Sequence, residues 1–277
     1  MFIKKKMQRL FFTMLVTAFS GIYFAAAQKI VLKDPEGDDN GPGSYVYPTD
    51  AVYKKGSFDI RELVIEKRNP GKLEISVAVN STLEDPWKYG MGFCLQMLFL
   101  FIDTDQQANS GFTKAPPGLN VVFSPKDAWD KCIILSPQTP QRIVSEIKIK
   151  APDMSSALLI PSRTRGSGRK ILATVSWPDD IDISKCSFQL VMQANEGFPT
   201  GNALLTRPVN EYEGQHRFGG GDDGDCDPHI LDVLAGNAKG EEEEKKAQYT
   251  MLSYECGPDG SARKTATLQM IRPAAPR

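Results

Sequence analysis

Apolar positions along this chain recur mostly with a period of two. Leu73-Glu-Ile-Ser-Val-Ala-Val79 alternates apolar and polar, as a half-buried strand does. Leu63–Ile65 with its neighbours, Asn120–Phe123, Cys132–Leu135, Ile171–Trp177 and Phe188–Ala194 are short β-branched or aromatic runs that predict further strands. Ile143-Val-Ser-Glu-Ile-Lys-Ile149 alternates in the same way, so a strand is predicted over Arg142–Ile149. The apolar run Cys94–Ile102 is bounded by charge and too short to span a bilayer; it predicts a buried strand over Leu95–Ile102. Turn-forming residues separate these runs, as in Asn69-Pro-Gly71, Ala115-Pro-Pro-Gly118, Ser136-Pro137, Arg165-Gly-Ser-Gly168 and Pro178-Asp-Asp180. Many short strands punctuated in this way predict an all-β fold, a two-sheet antiparallel sandwich. One helix is expected, late in the chain, where Glu241–Glu244 precedes Lys245 and Lys246 and offers Glu→Lys pairs four residues apart. From Gly257 onwards Gly, Pro, Ser and Ala dominate, and residues 257–277 read as a disordered tail.

The N-terminus changes the picture. Lys4, Lys5, Lys6 and Arg9 precede an apolar stretch from Leu10 to Phe24, and Ala25-Ala-Ala27 supplies the small residues of a cleavage site. The stretch is about 15 residues, short of the roughly 20 that cross a bilayer core. Residues 1–27 are thus expected to be a signal peptide, leaving a 28–256 sandwich module that is secreted, periplasmic or on the cell envelope, without a membrane span. Cleavage lowers 33 Lys+Arg to 29 against 34 Asp+Glu, a net charge near −5. A mildly acidic chain with no basic run gives no support for nucleic-acid binding. Export also permits disulfides among the five cysteines. Cys226 and Cys256 flank the expected helix, and their pairing is predicted if that helix folds back.

Motifs of catalysis are scarce. His216 and His229 have no metal-binding spacing, and neither a Gly-x-Ser-x-Gly elbow nor a phosphate-binding loop occurs. The expectation is a protein that is not an enzyme. Two acidic, glycine-rich segments do stand out. One is Asp34-Pro-Glu-Gly-Asp-Asp-Asn-Gly-Pro-Gly43; the other is Gly219-Gly-Gly-Asp-Asp-Gly-Asp225, followed by Asp227 and Asp232. Calcium takes six to eight oxygens, and glycine lets backbone wrap an ion closely. Asp34, Glu36, Asp38, Asp39, Asp222 and Asp223 are therefore candidate calcium ligands, with Asp103 and Asp105 as a third group; ordinary Asp/Gly turns are the alternative. Trp87, Trp129 and Trp177 are candidate platforms for sugar rings, against the alternative that they fill the core. Trp87 lies in the polar segment Glu84-Asp-Pro-Trp-Lys88 and is the best placed of the three.

The segments also form an ordered set. Asp34–Asp50, Gly56-Ser-Phe-Asp-Ile60, Asp85-Pro-Trp87, Phe101-Ile-Asp-Thr-Asp105, Gln193-Ala-Asn-Glu-Gly-Phe198, Phe218-Gly-Gly-Gly-Asp-Asp223 and Asp227-Pro-His-Ile-Leu-Asp-Val-Leu234 follow one another along roughly residues 30–255. In that order they resemble the glucodextranase C-terminal module family, whose fold is similar to family-9 carbohydrate-binding modules and DOMON-like sandwiches. The resemblance implies a β-sandwich that binds polysaccharide, an α-glucan or a cell-envelope glycan, with calcium as a possible cofactor. Five cysteines and an acidic helix and tail depart from that pattern. The alternative is an envelope-anchoring or protein-interaction module without sugar specificity.

Overall fold

The computed structural model describes residues 28–69, 71–199, 201–223, 226–236 and 240–273. The expected signal peptide lies outside them. The first sheet has strand order β1-β2-β3-β9-β8, from β1 (Gln28–Lys33), β2 (Ile60–Asn69), β3 (Lys72–Val79), β8 (Arg163–Ser167) and β9 (Lys170–Ser176). The second has order β11-β10-β4-β6-β7, from β4 (Gln96–Asp103), β6 (Lys131–Leu135), β7 (Leu158–Leu159), β10 (Ser187–Ala194) and β11 (Asp232–Val233). Pairing is antiparallel throughout except between β6 and β7. The two sheets face one another across a core that includes Ile65, Ile75 and Ile171 from the first and Leu98, Leu100, Ile133 and Leu190 from the second. This is the sandwich that the alternation predicts.

The second sheet is covered on its other face too. Phe99, Phe101, Ile134 and Val191 pack there against Trp129, Leu204 and Leu268. Every residue of β4 and β10 is consequently buried, which is why Leu95–Ile102 shows no alternation.

Part of that cover corrects an expectation. Arg142–Ile149 is not a strand; it lies within helix α1 (Pro140–Lys150). Thr139 caps it, its Oγ1 accepting from Arg142 N at 3.3 Å, and Pro140 occupies the first turn, where a missing N–H costs nothing. Ile143 and Ile147, four residues apart, are the apolar side chains of the helix that are buried, while Ile149 is exposed. Glu146 accepts from Arg142 and Lys150 at 2.9 and 2.8 Å on the same turn spacing. Four β-branched residues mimicked a strand, and the cap decided otherwise.

The tail is also corrected. Residues from 257 do not lack structure: β12 (Glu255–Cys256) pairs with β13 (Ala262–Lys264), and β14 (Ala266–Leu268) runs parallel to β5 (Val121–Phe123). Ala266, Leu268, Met270 and Ile271 are buried, and Gln269 O accepts from the buried Gln189 Nε2 at 2.7 Å. Alternating apolar residues make this segment a closing strand despite its polar composition. The late helix is present as α2 (Glu241–Met251). A disulfide joins Cys226 to Cys256, with Cα atoms 5.7 Å apart, and ties the segment beyond α2 to the second acidic loop.

Candidate functional site

The two acidic segments meet in space, Val46 bridging antiparallel to Gly219. Tight backbone turns bring them together. At Gly41, with φ of +61°, a Cβ would lie 2.8 Å from Ile230 O, so only glycine fits. Beyond it, Tyr45 Oη donates to Asp227 Oδ2 at 3.1 Å and to Pro228 O, and Tyr47 donates to Asp39. Tyr47 thus engages Asp39, and Tyr45 engages one oxygen of Asp227, whose Oδ1 is buried with no hydrogen-bond partner among the described residues.

What remains is a buried acidic cluster. One carboxylate oxygen each from Asp34, Asp38 and Asp232 lies within 4.8 Å of the others. Asp59 adjoins them electrostatically, its Oδ2 accepting from Gly37 N at 2.8 Å and Asn80 Nδ2 at 3.0 Å. Asp34 Oδ2, both Asp38 oxygens, Asp59 Oδ1 and Asp232 Oδ1 are buried with no hydrogen-bond partner. No Lys or Arg forms an ion pair with any of the four among the described residues. Burial, then mutual repulsion, pushes Asp34 and Asp232 well above the usual carboxylate range. Burial and then repulsion from Asp59 raise Asp38 to about 7, and burial with repulsion from Asp39 raises Asp59 to about 6. Open, buried carboxylate oxygens at one point are costly alone and fit a hard divalent cation. The donor set is all oxygen, which suits calcium. Asp232 and Asp59 were not among the sequence-derived ligands. Both sit in motifs that were singled out, but only folding brings them to Asp34.

The other acidic candidates lie elsewhere. Glu36 is exposed, 3.9 Å from Arg61. Asp222 stands beside the Cys226–Cys256 disulfide, whose sulfurs are no longer thiolates, and exposed Asp223 accepts from Glu211 N at 3.2 Å. Asp103 and Asp105 gather with Asp130, but their oxygens are engaged locally. Asp103 Oδ1 accepts from Gln106 N at 2.7 Å, Asp105 from Gln107 N at 2.9 Å, and Asp130 from Thr104 at 2.6 and 2.7 Å. That is the pattern of a strand-ending turn.

The tryptophans separate cleanly. Trp129 is 0% exposed, stacked on Phe112 at 4.8 Å with its Nε1 donating to Lys114 O at 3.0 Å. Trp177 is 3% exposed and belongs to the core between the sheets. Neither can meet a ligand, so the expectation that they bind sugar is corrected: each supplies apolar volume at a place where the sheets need it. Trp87 is 36% exposed. The turn that presents it is built by Asp85, which accepts from Tyr89 N at 2.8 Å and Gly90 N at 2.6 Å.

Trp87 lines a cleft of about 540 Å³ with Tyr89, Glu196, Phe198, Arg207 and His216. Phe198, 89% exposed, is the largest open aromatic face there, and the sequence assigned it no role. Arg207 is the hub of the cleft. Its Cζ lies 5.7 Å from the Trp87 ring centroid, its Nε donates to Glu196 at 2.9 Å, and its Nη1 donates to Tyr53 Oη and His216 O at 2.6 Å each. Burial works against the Glu196 carboxylate, yet hydrogen bonds from Arg207 and Phe198 N bring its pKa below the ordinary value. Gly197 lets Tyr89 approach closely, since a Cβ would sit 2.6 Å from its hydroxyl. His216 Nδ1 is shielded and has no partner among the described residues.

Among the described residues no helix is long and apolar enough to cross a membrane. No curated protein matches the chain significantly. The family profile for the C-terminal, SLH-like binding module of glucodextranase matches residues 30–271, spanning both sheets, the acidic cluster and the cleft. With most of its length matched, the chain belongs to this glucodextranase C-terminal family of binding modules.

Proposed function

We propose that this chain is an exported, non-catalytic module that binds polysaccharide in the Trp87–Phe198 cleft and holds calcium at Asp34, Asp38 and Asp232. The observation that carries the binding reading is the cleft itself: open aromatic faces beside a fixed polar network, the pattern by which a protein grips a sugar ring. Arg207 already covers one face of Trp87, so Phe198 and the free part of Trp87 are the stacking surfaces. Hydrolysis of a glycoside ordinarily uses two carboxyl groups. Among the described residues the cleft lining has one, Glu196, and Arg207 and Arg217 hold it ionised at 2.9 and 3.8 Å. Calcium, when bound, neutralises the buried carboxylates and joins the N-terminal loop to β11; it has no part in a reaction.

Retention on immobilised glucan tests the cleft. Trp87→Ala and Phe198→Ala should each weaken binding about thirtyfold, the loss of roughly 2 kcal/mol at a hot spot. Both variants should melt close to wild type. If the wild-type chain passes dextran, starch, pullulan and cell-wall glycan without delay, Phe198 is instead the anchor of a protein-interaction surface.

A further inference from the structure

The outer face of the first sheet is not covered by any of the described residues, and strand register orders its side chains into rows. The central row is Val31, Val64, Ser76, Leu172 and Arg165, partly apolar across the sheet. Beside it run Lys29, Glu66, Glu74, Thr174 and Arg163 on one side, and Lys33, Glu62, Ala78, Lys170 and Ser167 on the other. A groove of about 590 Å³ crosses these rows. Its charges are unevenly matched. Glu66 lies opposite Lys29 and Glu62 opposite Lys33, while Arg68 bonds Glu66 at 2.8 Å and Glu74 at 3.3 Å. At the β8–β9 end, Arg163, Arg165 and Lys170 are exposed and have neither ion pair nor side-chain hydrogen bond among the described residues. Three unmatched cations thus gather at one end of a groove whose central row is partly apolar, on a chain with a formal net charge of −1.

Resting on the polysaccharide-binding reading above but using a different surface, we propose that this groove binds an anionic polysaccharide, one bearing carboxylates along its chain. Arg163 and Arg165 are two residues apart on β8, hence about 7 Å apart. Charges at that spacing match a polymer better than a single small anion. Each guanidinium offers a planar fork to a carboxylate, and Leu172 and Val64 continue the Arg165 row across the sheet as apolar contacts for sugar rings. The groove lacks aromatic side chains, so it does not hold neutral sugar as the Trp87 cleft does. An acidic peptide would add along the edge strand β8 through its backbone groups, whereas this groove runs across the sheet face; polyglutamate tests for that occupant.

Affinity electrophoresis of the mature chain through gels containing polygalacturonate, polyglutamate or dextran tests the assignment. Polygalacturonate should retard the wild type, and raising the salt should abolish the effect. R163Q/R165Q should weaken that retardation at least about tenfold with an unchanged melting temperature and unchanged dextran behaviour. Trp87→Ala should do the reverse. Lys170→Gln, on the neighbouring strand, provides a second variant with a smaller loss in the same direction. No retardation by polygalacturonate, equal retardation by polyglutamate, or full retention in R163Q/R165Q would each overturn the assignment. Passage through dextran with retention by polygalacturonate leaves the groove standing, and the cleft reading is then decided by starch, pullulan and cell-wall glycan.

Discussion

Trp129→Ala should lose about 3–5 kcal/mol of stability, as large aromatic truncations in a closed core do. For a domain of this size that lowers the melting temperature by about 6–20 °C. Trp129 bridges Phe101, 5.3 Å away, and Phe112, 4.8 Å away, so its removal leaves a cavity lined by rigid rings. It also strands Lys114 O, which accepts from the indole nitrogen. Trp87→Ala should behave differently, costing little stability while weakening glycan binding about thirtyfold. A pair of thermal melts decides the matter: equal melting temperatures for the two variants would contradict the burial assignment of Trp129.

Calcium should stabilise the folded chain by a comparable amount. A metal present at a thousandfold its dissociation constant adds about 4 kcal/mol, or about 8–16 °C in melting temperature for a domain of this size. Chelator-treated protein melted with and without added calcium gives the measurement. Asp38→Asn sharpens it, because an amide in place of a carboxylate relieves repulsion and donates to Asp34 or Asp232. In the chelated state this variant should melt above wild type, and it should lose the response to calcium. A variant that melts lower without calcium, or still responds fully, would remove Asp38 from the site. The pH dependence of the chelated protein has a definite sign. Asp34, Asp232, Asp38 at about 7 and Asp59 at about 6 all lie above the unfolded value of about 3.9. The folded state therefore holds more protons, and stability falls as pH rises from about 4 to about 7. Calcium should oppose that fall, since its ligands must be ionised.

Much of this was legible beforehand, for a physical reason that differs from place to place. Alternation in Leu73–Val79 declares a half-buried strand because side chains on a strand point alternately to two faces. The Asp34–Gly43 segment announces its turns because glycine is needed where φ is positive, as at Gly41. Asp85-Pro-Trp-Lys88 marks an exposed tryptophan because polar turn residues surround it. The failures have causes of the same kind. Ile143-Val-Ser-Glu-Ile-Lys-Ile149 satisfies both a period of two and a spacing of four, and only the Thr139 cap separates them. Ala266–Ile271 is too short and too sparsely apolar to stand out from a tail until β5 is there to pair with it.

By itself, then, the sequence determined the class of fold, the residues that make its turns, and the family, because each is written in local spacing. The tertiary structure decided which carboxylates converge and which tryptophans face solvent. Asp34 and Asp232 are separated by nearly the whole module, and they meet only because β1 and β11 belong to different sheets closed over one core. Trp129 and Trp87 are the same residue type in similar polar surroundings. Their roles diverge because one lies under the closing β5–β14 layer and the other stands on a turn at the mouth of the cleft. Burial and convergence are properties of contacts between distant segments, which no local pattern encodes.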